Sequence, residues 1–377
     1  MSATTPSFGP GGLTVTLDLG SGEGAVRARR VTIASSRPTG FSATLFAGRH
    51  GDDVPGLVGR LHALCGRSHA VAAEAAIAAA AGGDGAAQVA GRFAALAAER
   101  LGEHLRSTFA GARLGADLAD AEVLADVRSV LASARGLDGA GAGPGAQDEV
   151  RRAVDRIRHG LARLGLGIDR RGRFAARPGS WAAAMLGRVG PTSGDVFLPS
   201  DRLSADDDAA VIAALAADPA GFAARPHLAG RRPETGPAAR AATGPATADG
   251  RERLASRLAE IAEAAELFDA PADHEARLFG AWVDGGRLDG RTGWAAVESP
   301  RGRLHHLARL DGEGRIAAYA ILAPTEWNFH AEGPFAATLA VNHWGEGARD
   351  VERVERIASL FDPCVGFEVR VRGGAGA

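Results

Sequence analysis

The sequence predicts an α+β protein that is predominantly helical and carries small β-hairpins. Two observations support this prediction. Apolar residues recur at the 3.6-residue spacing of helices through much of the chain, and they alternate with polar residues near the N-terminus and in the C-terminal third. With 377 residues, of which 46% are hydrophobic, the chain is also large enough to bury a sizeable core. A globular protein is therefore expected.

The N-terminal part, residues 1–50, is predicted to be rich in β-structure. Residues 13–18 and 25–34 alternate between apolar and polar side chains, which is typical of strands that bury one face. Between them lies Gly-Ser-Gly-Glu-Gly, and glycine readily adopts the positive φ angles of tight hairpin turns. This segment predicts a β-hairpin.

Helices are predicted for most of the middle of the chain. Apolar residues recur at helical spacing from about 55 to 135, and the segments 148–165 and 251–268 have the apolar stripe of amphipathic helices. Two segments between them, 136–147 and 231–250, are rich in glycine and proline, which oppose both helix and strand. We expect flexible loops there.

Strand and turn structure is predicted for residues 293–341. Two runs of β-forming residues in this region are separated by Asp-Gly-Glu-Gly at 311–314, which favours a hairpin turn. We find no internal repeat of fixed period, so an array of repeated units is not expected.

Charge and targeting signals exclude several classes of function. A formal net charge of −2 provides no long-range attraction for nucleic acid or for an anionic membrane. The first residues, MSATTPSFGPGG, lack the basic stretch and the apolar run of an export signal, and no window approaches the ~20 apolar residues of a membrane span. We therefore expect a cytoplasmic protein that neither binds nucleic acid nor inserts into membranes.

The chain contains two cysteines, Cys65 and Cys364, which lie near its opposite ends. A lone cysteine is most often a small buried apolar side chain. His69 follows Cys65 by one helical turn, so the two could share a helix face as a nucleophile pair or as part of a metal site. A structural zinc site normally needs four ligands in close pairs, and Cys364 has no second ligand near it in sequence.

The sequences around both cysteines resemble motifs of the nickel-iron hydrogenase large subunit, a family that carries R-x-C-G-x-C-x-x-x-H near its N-terminus. In RLHALCGRSH, Arg60 matches the motif arginine, Cys65 the second cysteine and His69 the histidine. His62 stands where the first cysteine belongs. One thiolate of this motif is therefore missing.

The second motif of that family, D-P-C-x-x-C-x-x-H/R, is similar to DPCVGFEVR near the C-terminus of this chain. Asp362, Pro363 and Cys364 match, and Arg370 matches the terminal histidine or arginine. Phe367 replaces the last cysteine, so this motif has also lost one thiolate.

Three further segments extend the resemblance in the family's order along the chain. PETGPAAR at 233–240 is similar to E-V-G-P-L-A-R, and VESPRG at 297–302 to E-A-P-R-G, whose arginine approaches an iron-bound cyanide. APTEWN at 323–328 is similar to P-T-x-W-N, whose hydroxyl residue contacts the other cyanide. By this resemblance, the two cyanide-contacting residues would be Arg301 and Thr325.

The chain is identified as a member of the hydrogenase expression/formation proteins HupK and HoxV, which are degenerate relatives of the large subunit. This resemblance implies one large-subunit-like domain over residues 1–377 and no hydrogenase activity, because nickel needs four thiolates and two are lost. It further implies an assembly scaffold that receives the Fe(CN)2CO unit from a HypC-like chaperone and HypD, and passes it to the apo large subunit. No nickel is expected.

The resemblance also implies the roles of individual residues. Cys65 and Cys364 would ligate iron, with His62 as a possible further ligand. Arg301 and Thr325 would bind the diatomic ligands of the iron, and His69 would orient Cys65 through a hydrogen bond.

Two other classes of function remain open from the sequence. One is a structural chaperone that mimics the large subunit without binding iron. The other is a redox or hydrolytic enzyme that uses Cys65 and His69.

Overall fold

A computed structural model describes residues 11–20, 25–37, 40–110, 114, 116–138, 145–169, 173–189, 194–242, 249–268, 272–345 and 347–373. Within these residues the helices are α1 (Phe41–Phe46), α2 (Val54–Leu61), α3 (Gly66–Ala81), α4 (Gly85–Gln88), α5 (Phe93–Ala110), α6 (Ala121–Asp138), α7 (Ala146–Leu164), α8 (Trp181–Arg188), α9 (Asp208–Ala217), α10 (Pro219–Ala224), α11 (Pro237–Ala241), α12 (Gly250–Leu267), α13 (Ala272–Trp282), α14 (Pro324–Asn328), α15 (Pro334–Val341) and α16 (Ala348–Phe361). The strands are β1 (Leu13–Leu19), β2 (Val26–Ser35), β3 (Leu166–Ile168), β4 (Phe174–Ala176), β5 (Asp201–Arg202), β6 (Pro233–Glu234), β7 (Val283–Asp289), β8 (Thr292–Ser299), β9 (Gly302–Leu310), β10 (Ile316–Leu322), β11 (His343–Trp344) and β12 (Phe367–Arg372).

The first sheet joins the N-terminal part of the chain to the C-terminal part. Its strand order is β11-β2-β1-β12. The antiparallel pairing of β1 with β2 confirms the predicted hairpin, whose turn residues 21–24 lie outside the described residues. β12 pairs with β1 in parallel, with Leu13 opposite Phe367. Since β1 buries Leu13, Val15 and Leu17 in the core, this pairing fixes the C-terminal segment against the body of the protein.

The second sheet is an antiparallel meander of β7, β8, β9 and β10 in sequence order. A two-residue turn, Pro300-Arg301, joins β8 to β9 where Ser299 pairs with Gly302. The longer turn at 311–315 joins β9 to β10, and this confirms the predicted hairpin.

Helix α3 lies directly on the meander. Gly293 of β8 faces it so closely that a Cβ there would come within 2.2 Å of the Ala76 carbonyl oxygen. The helix is rich in alanine, which allows this approach, and Ala72, Ala76 and their neighbours form an apolar core with Val297 and Leu304 of the sheet. A separate helical core packs α5, α6, α7, α8 and α12 together.

The middle of the chain is helical, as predicted, but the two predicted loops are shorter than expected. α6 continues to Asp138 and α7 begins at Ala146, so both ends of the predicted loop 136–147 are helical, and 139–144 lie outside the described residues. The loop predicted at 231–250 is wrong in part, because it contains β6 and α11 with buried side chains. Residues 243–248 lie outside the described residues.

The prediction of strand and turn for 293–341 is correct only for its first half. Residues after Leu322 form α14 and α15, and each helix has a proline in its first turn. Proline is tolerated there because the N–H groups of the first turn have no partner within the helix. The N-terminal part, residues 1–50, contains α1 beside its two strands. Among the described residues, no helix combines the length and apolarity needed to cross a membrane.

Candidate functional site

A cavity of 240 Å³ lies where the two ends of the chain meet. Its wall is formed by Gly11 before β1, Cys65 between α2 and α3, Arg301 in the β8–β9 turn, and Cys364 after α16. The parallel pairing of β1 with β12 brings the first and last of these segments together. Both cysteines therefore face one cavity, although they are far apart in sequence.

Cys65 is the residue immediately before α3 and has a left-handed backbone conformation, with φ 58° and ψ 27°. It is 5% exposed, and its Sγ accepts a hydrogen bond from Arg301 Nη1 at 3.2 Å. Burial raises the pKa of the Cys65 thiol, and the positive charge of Arg301 offsets part of that rise. The hydrogen-bond partner of this thiol is thus a guanidinium.

Arg301 is buried although it lies in a hairpin turn, where an arginine is usually solvated. Its side chain is 5% exposed. Nη1 donates to Glu103 Oε2 at 3.0 Å as well as to Cys65, and Nε lies 3.6 Å from Asp362 Oδ1. The guanidinium therefore connects a carboxylate of α5, a carboxylate of the C-terminal segment and the Cys65 thiol.

The turn that carries Arg301 is held by a neighbouring segment. Arg240 of α11 donates to the carbonyl oxygens of Ser299 at 3.2 Å and Pro300 at 3.1 Å. Gly302 has φ 132°, and a Cβ there would come within 2.3 Å of Thr235 Oγ1. Only glycine fits this position, so the PETGPAAR and VESPRG segments form one structural unit.

Arg240 is itself part of a buried ionic network. It pairs with Glu260 at 2.8 Å and with Glu298 at 2.9 Å, and Glu298 also accepts a hydrogen bond from Arg303 at 3.0 Å. Arg303 in turn pairs with Asp208 of α9. Buried charges are tolerated only when they are paired, so this network holds α9, α11 and α12 in fixed positions around the turn.

Thr325 holds the second thiol. Its Oγ1 donates to Cys364 Sγ at 3.0 Å and accepts from the Cys364 backbone N–H at 3.1 Å. Helix α14, in which Thr325 lies, has no side-chain cap, and the Thr325 hydroxyl is used by Cys364. The neighbouring Ala323 and Pro324 line the cavity. That Thr325 contacts a cyanide directly stays a prediction.

The histidines of the N-terminal motif form a stacked pair. The rings of His62 and His69 lie 3.6 Å apart at an angle of 14°, and both line the cavity. His69 Nδ1 lies 3.0 Å from His306 Nε2, and His306 Nδ1 lies 2.7 Å from the Tyr319 hydroxyl.

The expectation that His69 orients Cys65 by a side-chain hydrogen bond is wrong. Its ring bonds to His306, while Arg301 bonds to the thiol. This arrangement also gives no support to a nucleophile pair of Cys65 and His69, which needs that hydrogen bond.

Three further residues, which the sequence did not indicate, belong to the site: Arg37, His306 and Tyr319. Arg37 lines the cavity, and His306 and Tyr319 lie behind His69. His305 and His306 face opposite sides of β9 because side chains alternate along a strand, and His305 Nε2 lies 2.9 Å from Asp208 Oδ1. Arg37 lines the cavity as a second guanidinium and pairs with Glu326 of α14. No local motif marks these residues, because their partners lie on other elements.

Two residues of the motifs lie away from the cavity. Arg60 is exposed on α2, and Arg370 is exposed on β12, where it pairs with Glu368 at 3.0 Å. Phe367, at the position of the lost cysteine, lines a larger cavity of 560 Å³, here called the outer cavity. Cys364 and Arg301 line both this outer cavity and the inner cavity of 240 Å³, whereas Cys65 lines only the inner one of the two.

Among the described residues, no group of three or more His, Cys, Asp and Glu side chains is arranged to hold a metal ion. The cavity presents two thiols, two guanidinium groups and a pair of histidines. Thiols and imidazoles are both groups that can ligate transition metals.

Curated proteins resemble this chain over most of its length. The chain is 36% identical over 379 aligned residues to the hydrogenase expression/formation protein HupK of Rhizobium leguminosarum bv. viciae, covering 92% of this chain and 94% of that protein. It is 36% identical over 344 residues to HupK of Bradyrhizobium diazoefficiens, covering 87% and 89%. No model of a protein family matches the chain.

Solved structures show the fold. A chain of the NiFeSe hydrogenase from Desulfovibrio vulgaris Hildenborough superposes with a TM-score of 0.58 at 15% sequence identity, covering 92% of this chain and 94% of that chain. At this identity the likeness concerns the fold alone. It confirms the predicted large-subunit-like architecture over nearly the whole chain.

Proposed function

The chain belongs to the HupK family of hydrogenase expression/formation proteins, and from this membership we propose that it holds the Fe(CN)2CO unit transiently and passes it to the apo large subunit of a nickel-iron hydrogenase. One observation carries the proposal: Cys65 and Cys364 face the same cavity, each hydrogen-bonded to a donor, Arg301 or Thr325. An iron fragment would find two sulfur ligands and a buried cation there.

The chemistry of the cargo matches the donors of the cavity. A metal-bound cyanide carries negative charge and accepts hydrogen bonds at nitrogen, so a buried guanidinium such as Arg301 can form a charge-assisted bond to it. Arg37 lines the same cavity and supplies a second positive charge. In this proposal Thr325 holds Cys364 in place for the iron.

The ligand set favours iron in transit over a resident nickel-iron centre. Two thiolates remain where the large-subunit motifs have four, so the soft-ligand set for nickel is halved and no nickel is expected. Phe367 occupies the place of a ligating cysteine and cannot coordinate a metal. We therefore propose an accessory role without hydrogenase activity.

Partners follow from this role as part of the proposal. A HypC-like chaperone with HypD would deliver the iron unit in the cytoplasm, and the apo large subunit would receive it. Cys364 lines both the inner and the outer cavity, which makes it the thiol that an arriving complex would reach first.

The second candidate is a chaperone that mimics the large subunit without binding iron. The observation in its favour is that Arg301 is already ion-paired with Glu103 and that each thiol already has a hydrogen-bond donor. A site that needs no cargo for its own stability is compatible with a purely structural function.

The deciding experiment is anaerobic co-purification with the maturation partners, followed by infrared spectroscopy in the cyanide and carbonyl stretching region. We expect bands that disappear in Cys65→Ala and Cys364→Ala. Arg301→Lys should lower the amount of bound cargo, whereas the matched control Arg309→Lys, an exposed arginine on β9, should leave it unchanged. A stable complex without any bands would overturn the iron scaffold and favour the structural chaperone.

A further inference from the structure

The only tyrosine of the chain, Tyr319, takes part in a buried hydrogen-bonded series that ends at the cavity. Its hydroxyl lies 2.7 Å from His306 Nδ1, and His306 Nε2 lies 3.0 Å from His69 Nδ1. Tyr319 is on β10, His306 on β9 and His69 on α3, and these three side chains are at most 5% exposed. The series therefore runs from the interior of the meander to the cavity wall.

The number of donors and acceptors available determines which atom donates in each hydrogen bond of this series. A buried phenol must place its proton on an acceptor, and among the described residues the partner of the Tyr319 hydroxyl is His306 Nδ1. Tyr319 is therefore the donor, and His306 Nδ1 is the acceptor. The bond from His306 to His69 likewise needs one donor and one acceptor, so each ring that accepts at Nδ1 carries a single proton, on Nε2.

With Nδ1 as acceptor, His306 carries its proton on Nε2 and donates it to His69 Nδ1. His69 then carries its own proton on Nε2, the nitrogen that this series leaves for the cavity. In this tautomer His69 offers an N–H donor and has no lone pair available for a metal at that nitrogen.

The stacked neighbour has the opposite tautomer. His62 Nδ1 lies 2.9 Å from the Val58 carbonyl oxygen, which can only accept, so the proton of a neutral His62 is on Nδ1. Its Nε2 therefore carries a lone pair.

We propose that Tyr319 and His306 are positioning residues that set His69 as a hydrogen-bond donor to a ligand in the cavity, and that His62 is the histidine of the pair able to ligate a metal. The ligand class is an anionic or dipolar acceptor, such as a metal-bound cyanide or carbonyl. The identity of that ligand rests on the proposed function, whereas the tautomer assignment does not.

The first test uses the cargo-free protein and needs no variant. Nitrogen-15 NMR of the histidine rings should show His69 protonated on Nε2 and His62 on Nδ1. A His69 ring protonated on Nδ1 would overturn the proposal. Because this measurement requires neither cargo nor a mutation, it is decisive even if the cargo hypothesis fails or a variant does not fold.

The second test removes the proton donor. Tyr319→Phe deletes the hydroxyl that donates to His306 Nδ1, so His306 can adopt either tautomer. The His69 signal should then change from that of a single Nε2–H tautomer to that of a mixture. Ser42→Ala is the matched control, since Ser42 contacts the Tyr319 carbonyl oxygen at 3.5 Å and not the phenol. An unchanged His69 tautomer in folded Tyr319→Phe would refute the positioning role.

The third test links the series to the ligand. In protein loaded anaerobically with its maturation partners, Tyr319→Phe should keep the amount of bound iron but shift a cyanide or carbonyl stretching band relative to wild type and Ser42→Ala. Identical bands in loaded wild type and Tyr319→Phe would overturn the role of His69 as donor to the cargo. If wild type shows no bands at all, the proposed function fails, while the tautomer result from the cargo-free protein stands by itself.

Discussion

Cys65 and Asp362 share the left-handed backbone conformation, with φ of 58° and 53°, and the Arg301 side chain reaches both of them. In the described part of the chain they are the two non-glycine residues with positive φ. Cys65 directly precedes α3, and Asp362 directly follows α16. Strain of this kind persists only where the surrounding structure enforces it, and here both strained residues lie against the Arg301 side chain.

The first prediction separates the charge of Asp362 from its backbone strain. Burial acts to raise the pKa of Asp362, but the charges of Arg301 and Arg257 outweigh it and hold that pKa below its ordinary value. Asp362→Asn removes the charge but tolerates the left-handed conformation, so it should lower the free energy of unfolding by about 1–3 kcal/mol. Asp362→Ala should lower it by about a further 1 kcal/mol, because alanine tolerates positive φ poorly.

Denaturant unfolding of the two Asp362 variants measures this difference. Equal stability of the asparagine and alanine variants would show that the positive φ carries no strain at this position. If both variants have the same free energy of unfolding as wild type, the ion pair between the Asp362 carboxylate and Arg301 does not stabilise the protein.

The second prediction concerns the turn that carries Arg301. Gly302→Ala places a methyl group 2.3 Å from Thr235 Oγ1, which is a steric overlap. The φ of 132° at this position also strains the backbone of any residue other than glycine. We expect a loss of roughly 2–5 kcal/mol in the free energy of unfolding. Gly312→Ala on the next turn is the control, since a Cβ there meets open space. Similar stability of the two variants would contradict the close packing of the two segments.

The sequence predicted the type of most long elements because their periodicity is strong and local. It could not predict β12, because this strand is defined by its parallel pairing with β1 at the opposite end of the chain. It also missed β6 and α11, since glycine and proline dominate the composition of 231–250, while Arg240 and Thr235 there are fixed by partners in other segments.

For the site, the sequence indicated which residues to examine but not what they contact. Cys65, Cys364 and Arg301 do line one cavity. The hydrogen bond expected from His69 to Cys65 is replaced by one from Arg301, which no spacing rule reveals. His306 and Tyr319 carry no recognisable motif, because their significance arises only where β9 and β10 meet α3.

The third prediction is a difference in reactivity between the two thiols. Cys364 is partly exposed and lines the outer cavity, whereas Cys65 is 5% exposed and burial raises its pKa, which keeps it protonated. The thiolate is the reactive form, so an aromatic disulfide reagent at pH 8 should label one thiol quickly and the second only after unfolding. Cys364→Ala should abolish the fast phase and Cys65→Ala should preserve it. A fast phase that survives in Cys364→Ala would contradict the burial of Cys65.

The fourth prediction tests how Cys364 is held. Thr325→Val keeps the shape of the side chain but removes the hydroxyl that accepts from the Cys364 N–H and donates to its sulfur. An unpaired backbone donor costs about 1–2 kcal/mol, and we expect this loss in the free energy of unfolding. Thr325→Ser retains the hydroxyl and should lose less. If the valine variant is as stable as the serine variant, water or another group must replace the hydroxyl.

The fifth prediction is a pH dependence caused by Glu99 of α5, whose carboxylate accepts hydrogen bonds from the backbone N–H groups of Arg67 and Ser68 at the start of α3. Burial raises the pKa of Glu99 from 4.5 to about 7, although these hydrogen bonds oppose the rise. Between these two values the folded protein binds more protons at this site than the unfolded chain does. The contribution of Glu99 to stability is therefore greatest below about pH 4.5 and is lost as the pH rises through about 7.

The variant that tests this linkage is Glu99→Gln, which cannot titrate. Relative to wild type, its free energy of unfolding should increase by about 1–3 kcal/mol between pH 5 and pH 8, since only wild type loses the contribution of the protonated form over that range. Taking the difference between the two proteins cancels the titration of all other groups. Glu313→Gln, at an exposed carboxyl, controls for the removal of one negative charge. A difference that is constant with pH, or that falls, would show that the carboxyl next to the start of α3 is ionised in the folded protein at pH 5. The helix that presents Cys65 would then begin against a fixed negative charge.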